Sequence, residues 1–258
     1  MTSADSSRKD LVLAVNGCEE RLQVALGRTE RDGVHLLASR EWTVPGQSVR
    51  YLVPGISEML ADFGAAMNRV ARMACTRGPG SFTGLRLALA AVQGLAAGQS
   101  VPLAGLDYMP LLAKAPAPLL NGTLHVLTYA RRNHVYLQSF SCPNAASLGP
   151  ATALKTDAAL TLLETDSGPA SALGSGLAKH PDFRDALADK GIRILLPHWD
   201  APTPEILLEA AMSADFSNTP IDPLYIRVSD AEENLPFIAK KRGIDPEEAQ
   251  RRLDEYRK

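Results

Sequence analysis

Residues Arg77 to Gly98 constrain the fold more than any other stretch, because a Gly/Pro-rich loop there runs into a helix with almost no polar side. On a wheel starting at Leu85, the residues Leu85, Ala88, Leu89, Val92 and Ala96 share one side, while Leu87, Ala90, Ala91, Gly94 and Gly98 share the other. Only Arg86 and Gln93 form a polar strip. A helix that is apolar nearly all round is buried nearly all round. Its larger residues suit a sheet of the same lobe, whereas its small-residue face requires a second helix at close approach. That helix is either Ser48 to Phe63 of this chain or an element of another subunit, and the pattern is compatible with both.

The loop itself, Gly78, Pro79, Gly80, Ser81, Thr83 and Gly84 with Arg86 just beyond, has two readings. Glycines that turn tightly before a helix leave free N–H groups at a positive helix end, which suits ATP or another anion. The same residues also make an ordinary tight turn, with Ser81 and Thr83 available to cap a helix from Gly84. The Lys-Ser/Thr end of a Walker A loop is missing and the GxGxxG spacing is absent, so the turn is the better reading.

Around this centre the chain alternates strand and helix. Leu11 to Val15 is a buried-type strand, Asn16-Gly17 leads into Arg21 to Leu26, and Val34 to Arg40 follows the turn Asp32-Gly33. Val49, Leu52, Val53, Ile56, Met59, Leu60 and Phe63 give Ser48 to Phe63 helical spacing, with a kink expected at Pro54-Gly55. Arg72 to Thr76 and Val101 to Gly105 are strands on either side of the apolar helix. The class is α/β.

A Pro-rich linker, Ala115 to Pro118, places a domain boundary nearby. The expected division is an N-terminal lobe over 1–112, completed by 203–230, a smaller α/β lobe over 113–202, and a charged tail over 231–258. In the smaller lobe His125 to Tyr129 and His134 to Phe140 pair across Arg131-Arg132-Asn133. Ala201 to Phe216 reads as a helix, Pro223 to Arg227 as extended, and Asp245 starts a helix with Pro246 in its first turn. No internal repeat at a fixed period is present.

Composition narrows the function classes. The chain has 258 residues, 45% hydrophobic and 22% charged, with a formal charge of −2, so no overall basic field draws it to nucleic acid. Cys18, Cys75 and Cys142 lack CxxC or Cys/His pairing, which indicates neither disulfides nor zinc. No apolar run approaches the ~20 residues that span a bilayer and the polar start lacks a signal-peptide core, so a cytoplasmic protein without membrane contact is expected.

The run Arg77-Gly-Pro-Gly-Ser-Phe-Thr-Gly-Leu-Arg-Leu87, followed by Gln93-Gly-Leu95, closely resembles the signature of the TsaB family, also called YeaZ, bacterial tRNA threonylcarbamoyladenosine biosynthesis proteins. Echoes in matching order extend the resemblance over most of the chain: Leu13-Ala-Val15, Leu52-Val-Pro54 with Ile56 and Met59-Leu60, Ala130-Arg131 with Val135-Tyr136, and Pro223 to Arg227. The resemblance implies a two-lobed actin-like, sugar-kinase-like ATPase (ASKHA) fold with a degenerate nucleotide site, and a non-catalytic role. Family members pair with the transferase TsaD and the ATPase TsaE, which together place threonylcarbamoyl on adenosine 37 of tRNAs reading ANN codons. The pairing helices match Ser48 to Phe63 and Gly84 to Gly98, which makes Leu52, Ile56, Met59, Leu60, Phe82, Leu87, Ala90, Ala91, Gly94 and Gly98 the expected interface. No tightly bound cofactor is expected, with ADP or ATP a candidate at the partner junction, and tRNA is met only through the complex. A homodimer on the same surface is expected when the partner is absent.

Departures from the family pattern bear on chemistry. Relatives carry an Asp after the first strand where this chain has Asn16, and Asp-Ala-Arg where it has Tyr129-Ala130-Arg131. Carboxylates at such strand ends handle metal and phosphates in active members of the wider fold, so an active ATP-using enzyme is the alternative rather than the main reading. The region Leu106 to Pro110 has no HxxxH pair of the kind that holds metal in the related catalytic subunits, and histidines 35, 125, 134, 180 and 198 form no pair at helical spacing. No structural metal is expected. Ser81 lacks a GxSxG context, so no catalytic residue is assigned. Arg131-Arg132, Lys240-Lys241-Arg242 and Arg251-Arg252 are short basic runs that usually face solvent.

Overall fold

The fold is built outward from one fully enclosed strand. All six residues of β1 (Leu11–Asn16) are buried, which requires partners on both edges and cover on both faces. The strand hairpins antiparallel into β2 (Arg21–Glu30), which pairs antiparallel with β3 (Gly33–Thr43). After α1 (Ser48–Asp62) the chain enters β4 (Val70–Gly78), parallel to β1 on its other edge. Then follow α2 (Phe82–Gln99), β5 (Leu103–Asp107) parallel to β4, and α3 (Tyr108–Lys114). The first sheet is thus ordered β3-β2-β1-β4-β5. The computed structural model describes residues 9–164, 168–226, 239–246, 248, 249, 251 and 252.

A second sheet repeats this plan. Strands β6 (Gly122–Arg131) and β7 (His134–Cys142) form an antiparallel hairpin whose turn includes Asn133 at φ 57°. Next come β8 (Ala146–Ser147), β9 (Thr152–Lys155), α4 (Thr156–Leu163), β10 (Ala170–Leu173), α5 (Ser175–Lys179), α6 (Pro181–Asp189) and β11 (Arg193–Ile194). Strands β8 and β9 both pair with β7, while β10 runs parallel to β6 and β11 parallel to β10. The hairpin flanked by an antiparallel outer edge and two parallel crossovers therefore occurs twice, although no residue pattern repeats. This is the α/β plan with two mixed sheets of the actin-like fold.

Apolar cores hold each sheet to its helices. Val12, Ala14, Ala25, Ala74 and Ala104 of the first sheet meet Leu111 of α3 and Ile206, Leu207, Leu208 and Ala211 of α7 (Pro204–Met212). Helices α1 and α2 pack alongside each other on the first sheet. Leu127, Val135, Leu137 and Ala172 of the second sheet meet Ala159, Leu177, Phe183 and Leu187 from its own three helices. Each fully buried Leu or Phe of this kind contributes about 1.5–3 kcal/mol relative to exposure.

Element ends shift for local reasons. Helix α2 begins at Phe82, because Ser81 is its cap and accepts from Gly84 N–H at 3.4 Å. Thr83 lies inside the first turn instead of capping it. The helix expected over Ala201 to Phe216 is confined to α7, since Thr203 accepts from Ile206 N–H and Pro204 occupies the first turn, where no donor is needed. Helix α1 runs as one element through Pro54. The Ala115 to Pro118 linker runs into a single 3-10 turn, Ala117–Leu119, before β6.

Met1–Leu224 forms one compact unit and Tyr225–Lys258 another. In the latter, Ala249 N–H donates to the Asp245 carbonyl at 2.9 Å and Arg252 pairs with Glu248. Arg227, Glu247, Gln250 and Leu253 of the extended and helical pieces read there lie outside the described residues. Among the described residues no helix is long and apolar enough to cross a membrane.

Candidate functional site

The glycine loop rests on the turn between β1 and β2. Ser81 N–H donates to the Cys18 carbonyl at 2.5 Å, and a Cβ placed on Gly80 would stand 2.0 Å from the same oxygen. Glycine is required at 80 because another backbone already fills the space. Gly78 is at φ 119°, and the Arg77 carbonyl accepts from Leu224 N–H at 2.7 Å. Gly78 and Pro79 are buried, whereas Ser81 and Thr83 are exposed. The loop therefore presents Gly80 to a carbonyl oxygen, a neighbour that repels anions, while Ser81 spends its hydroxyl on the cap.

Beyond the loop the two faces of α2 separate cleanly. Gly84, Leu85, Ala88, Leu89, Val92 and Ala96 are buried, the side that the wheel assigns to the sheet. On the other side Ala90, Gly94 and Gly98 are exposed and Leu87 and Ala91 are half-buried. A Cβ at Gly94 or Gly98 would find nothing within 4 Å. Helix α1 packs beside α2 but leaves that strip uncovered. Phe82 is 53% exposed at its upper end, with the Arg86 guanidinium 3.8 Å from its ring centre.

The expected residues of α1 lie elsewhere. Leu52, Ile56, Met59 and Leu60 are at most 1% exposed in the single chain, so they belong to the core and offer no side chain to a partner. Periodic apolar residues mark the face a helix turns inward, which is the physical reason for this correction. The outward face of α1 instead carries Val49, Arg50, Pro54, Ser57, Glu58, Ala61 and Asp62. Gly55 is buried against Trp42, whose ring a Cβ would meet at 2.5 Å. Ile56→Val is accordingly expected to cost about 1 kcal/mol of folding stability in urea denaturation. Its affinity for a partner in a pull-down should not change.

The positions where the family carries aspartates are committed to packing. Asn16 is fully buried; its Nδ2 donates to Gln23 Oε1 at 2.8 Å, and its Oδ1 accepts from Thr76 Oγ1 at 3.0 Å and Cys18 N–H at 3.2 Å. Tyr129 stacks on His180 at 5.5 Å, and its N–H donates to Ser175 Oγ. The stretch Leu106 to Pro110 ends β5 and starts α3, where Tyr108 is buried. Among the described residues the one group spaced to share a cation is Glu30, Asp32 and His35 at the exposed β2–β3 turn. There the Asp32 carboxylate already takes a hydrogen bond with His35 at 2.9 Å, which lowers its pKa and raises that of His35.

One cluster had no signal in the residue pattern. Glu19, Tyr108, Ser175 and Asp200 meet beneath the loop, at the junction of the two sheets. Only the adjacent acids Glu19-Glu20 at the end of the turn could have drawn attention to it. Burial pushes the Cys18 thiol beside it up to about 12, so this cysteine is inert as a nucleophile near neutral pH.

The model of the family described as "TsaD: tRNA N6-adenosine threonylcarbamoyltransferase" matches residues 45–166, which contain α1, α2 and strands β6 to β9 of the second sheet. Over nearly its full length the chain is similar to "tRNA threonylcarbamoyladenosine biosynthesis protein TsaB" of Escherichia coli strain K12. The two are 28% identical over 233 residues, 87% of this chain and 98% of the relative. The Haemophilus influenzae protein of the same name is 28% identical over 237 residues, 87% of this chain and 97% of the relative. Among solved structures, YeaZ from Pseudomonas aeruginosa superposes with a TM-score of 0.62 at 22% identity, covering 84% of this chain and 99% of that one. Full-length relatives, a shared fold and the Arg77 to Leu87 signature agree: over most of its length the chain is similar to the TsaB (YeaZ) proteins.

Proposed function

We propose that this protein serves the biosynthesis of threonylcarbamoyladenosine in tRNA as a binding subunit without chemistry of its own. It holds a TsaD-like transferase in working form while that subunit moves threonylcarbamoyl to N6 of adenosine 37 in tRNAs reading ANN codons. The observation that carries this reading is the uncovered small-residue strip Ala90, Ala91, Gly94 and Gly98 of α2. Backbones approach most closely where side chains are smallest, so such a strip suits another helix better than water.

Two further points support it. The stretch similar to the TsaD family contains both α1 and α2, so a heterodimer can use related helices from each side, much as a twofold homodimer would. Homodimerisation through α2 is the expected state without the transferase. Asn16 and Tyr129, which replace family aspartates, leave no carboxylate at either position for a metal-bound phosphate. On this reading a TsaE-like ATPase joins the assembly, any ADP or ATP sits at the partner junction, tRNA is met through the complex, and the protein works in the cytoplasm.

Depletion of the protein should lower the modified nucleoside in bulk tRNA, measured by mass spectrometry after digestion. A pull-down from the same cells should recover the transferase. Unchanged nucleoside after depletion would overturn the proposal. Mg-ATP turnover by the purified protein that Thr83→Ala abolishes would favour an ATP-using enzyme instead.

A further inference from the structure

Four elements distant in sequence converge on one carboxyl group. Glu19 lies in the β1–β2 turn, Tyr108 at the start of α3, Ser175 at the start of α5 and Asp200 shortly before α7. The Tyr108 hydroxyl reaches Glu19 Oε2 at 2.9 Å and the Asp200 main-chain carbonyl at 3.3 Å, so a single hydrogen faces two acceptors. Ser175 Oγ donates to Glu19 Oε1 and accepts from Tyr129 N–H at 2.9 Å. Asp200 Oδ1 in turn accepts from Gly174 N–H at 2.8 Å.

Counting hydrogens decides which state of Glu19 suits this arrangement. An ionised carboxylate takes the tyrosine hydrogen and deprives the Asp200 carbonyl of it. A neutral carboxyl gives its own hydrogen to Tyr108 Oη and releases the tyrosine hydrogen to Asp200. An unbroken run of donors then extends from the Tyr129 amide to the Asp200 carbonyl, and every member is satisfied.

The surrounding charges agree with the neutral form. Glu20 on the same turn and Asp200 across from it are like charges that favour the neutral acid, while the hydrogen bonds from Ser175 and Tyr108 act the other way and are outweighed by burial. Lys179 favours the ion, but it is paired with Glu20 at 2.8 Å; Arg21 and His198 act on Asp200. Burial is the main cause that pushes Glu19 up to about 7 and Asp200 up to about 6.

We propose that Glu19 is a protonation-controlled latch between the two sheets: as the neutral acid it clasps the β1–β2 turn to α3 and α5, and as the carboxylate it lets the turn part from them. The same turn supports α2, through the Cys18 carbonyl under Ser81 and through Gly17, where a Cβ would stand 2.5 Å from Ala88 Cβ. Release of the latch therefore loosens the base of the helix proposed to meet the partner. That consequence rests on the proposed function, whereas the latch itself does not.

The sign follows from linkage. A carboxyl whose pKa is raised in the closed form holds best below its free value near 4.5 and loses its hold as pH climbs to about 7, after which the effect levels off. Asp200 has the same sign but levels off near 6. Between pH 6 and 7.5 the change is therefore mainly that of Glu19.

Amide hydrogen exchange of the full chain, normalised to the intrinsic chemical rate, tests the latch at residues 17–20 and 174–179. Wild-type protection should fall about tenfold between pH 6 and 7.5. In Glu19→Gln it should stay flat, and in Asp200→Asn the fall should persist. A wild-type profile without this fall, or the same fall in Glu19→Gln, would overturn the proposal. Should the variant not fold, the carbon-13 shift of the wild-type Glu19 carboxyl decides: titration near 7 supports the latch and titration near 4.5 refutes it. Because this readout involves no partner, the latch and the binding role can fail separately.

Discussion

Gly94→Trp is expected to leave the protein folded and, if the proposed pairing with a TsaD-like transferase holds, to weaken that pairing by at least about a hundredfold, the scale of losing an interface hot spot. The folding half follows from the open space at the exposed Gly94, where an added Cβ has no neighbour within 4 Å outside its own helix turn. The binding half follows from the neighbouring Ala90, Ala91 and Gly98, which together form a strip with no side chain larger than a methyl group. A partner helix seated there would be held off by the width of an indole ring. Gly94→Ala supplies the control: replacing a mid-helix glycine should raise stability by about 0.5–1 kcal/mol and disturb the partner far less. Analytical ultracentrifugation of purified components reads association, and thermal unfolding reads the fold. A tryptophan variant that binds as the wild type does would move the interface away from α2.

Gly80→Ala is expected to strike the fold itself. The new methyl would lie 2.0 Å from the Cys18 carbonyl oxygen, 2.7 Å from its carbon and 2.9 Å from its Cα. All three are backbone atoms, so no rotamer change relieves the overlap, and the turn or the loop must move as a whole. Such overpacking costs about 3 kcal/mol or more, and here it also breaks the bond from Ser81 N–H that seats the cap of α2. Denaturant unfolding should show the loss directly. A stability within about 0.5 kcal/mol of wild type would mean that the loop does not rest on Cys18 in solution.

How far these features could be read before folding differs from residue to residue. The buried side of α2 was legible because Leu85, Ala88, Leu89, Val92 and Ala96 recur at the helical period, and the structure buries all five. In α1 the same logic applies in reverse. The apolar set Leu52, Ile56, Met59 and Leu60 marks what the chain keeps for itself, while the resemblance to the TsaB family specified the helix but not its outward face. The Glu19 cluster was not legible at all, since its members are brought together only by tertiary packing. The doubled sheet plan escaped detection because strand pairing depends on backbone direction and alternation, which different residues satisfy equally well.

The return of α7 to the first sheet fixes an order of events during synthesis. Val12, Ala14, Ala25, Ala74 and Ala104 emerge from the ribosome early, yet the helix that covers them follows every strand of the second sheet. The second sheet, with its own three helices, can settle while the first still shows an apolar face to water. The core of the first sheet is thus complete only once α7 has been made. A chain stopped before Pro204 is expected to leave that apolar face open to water, the kind of surface that aggregates or engages chaperones.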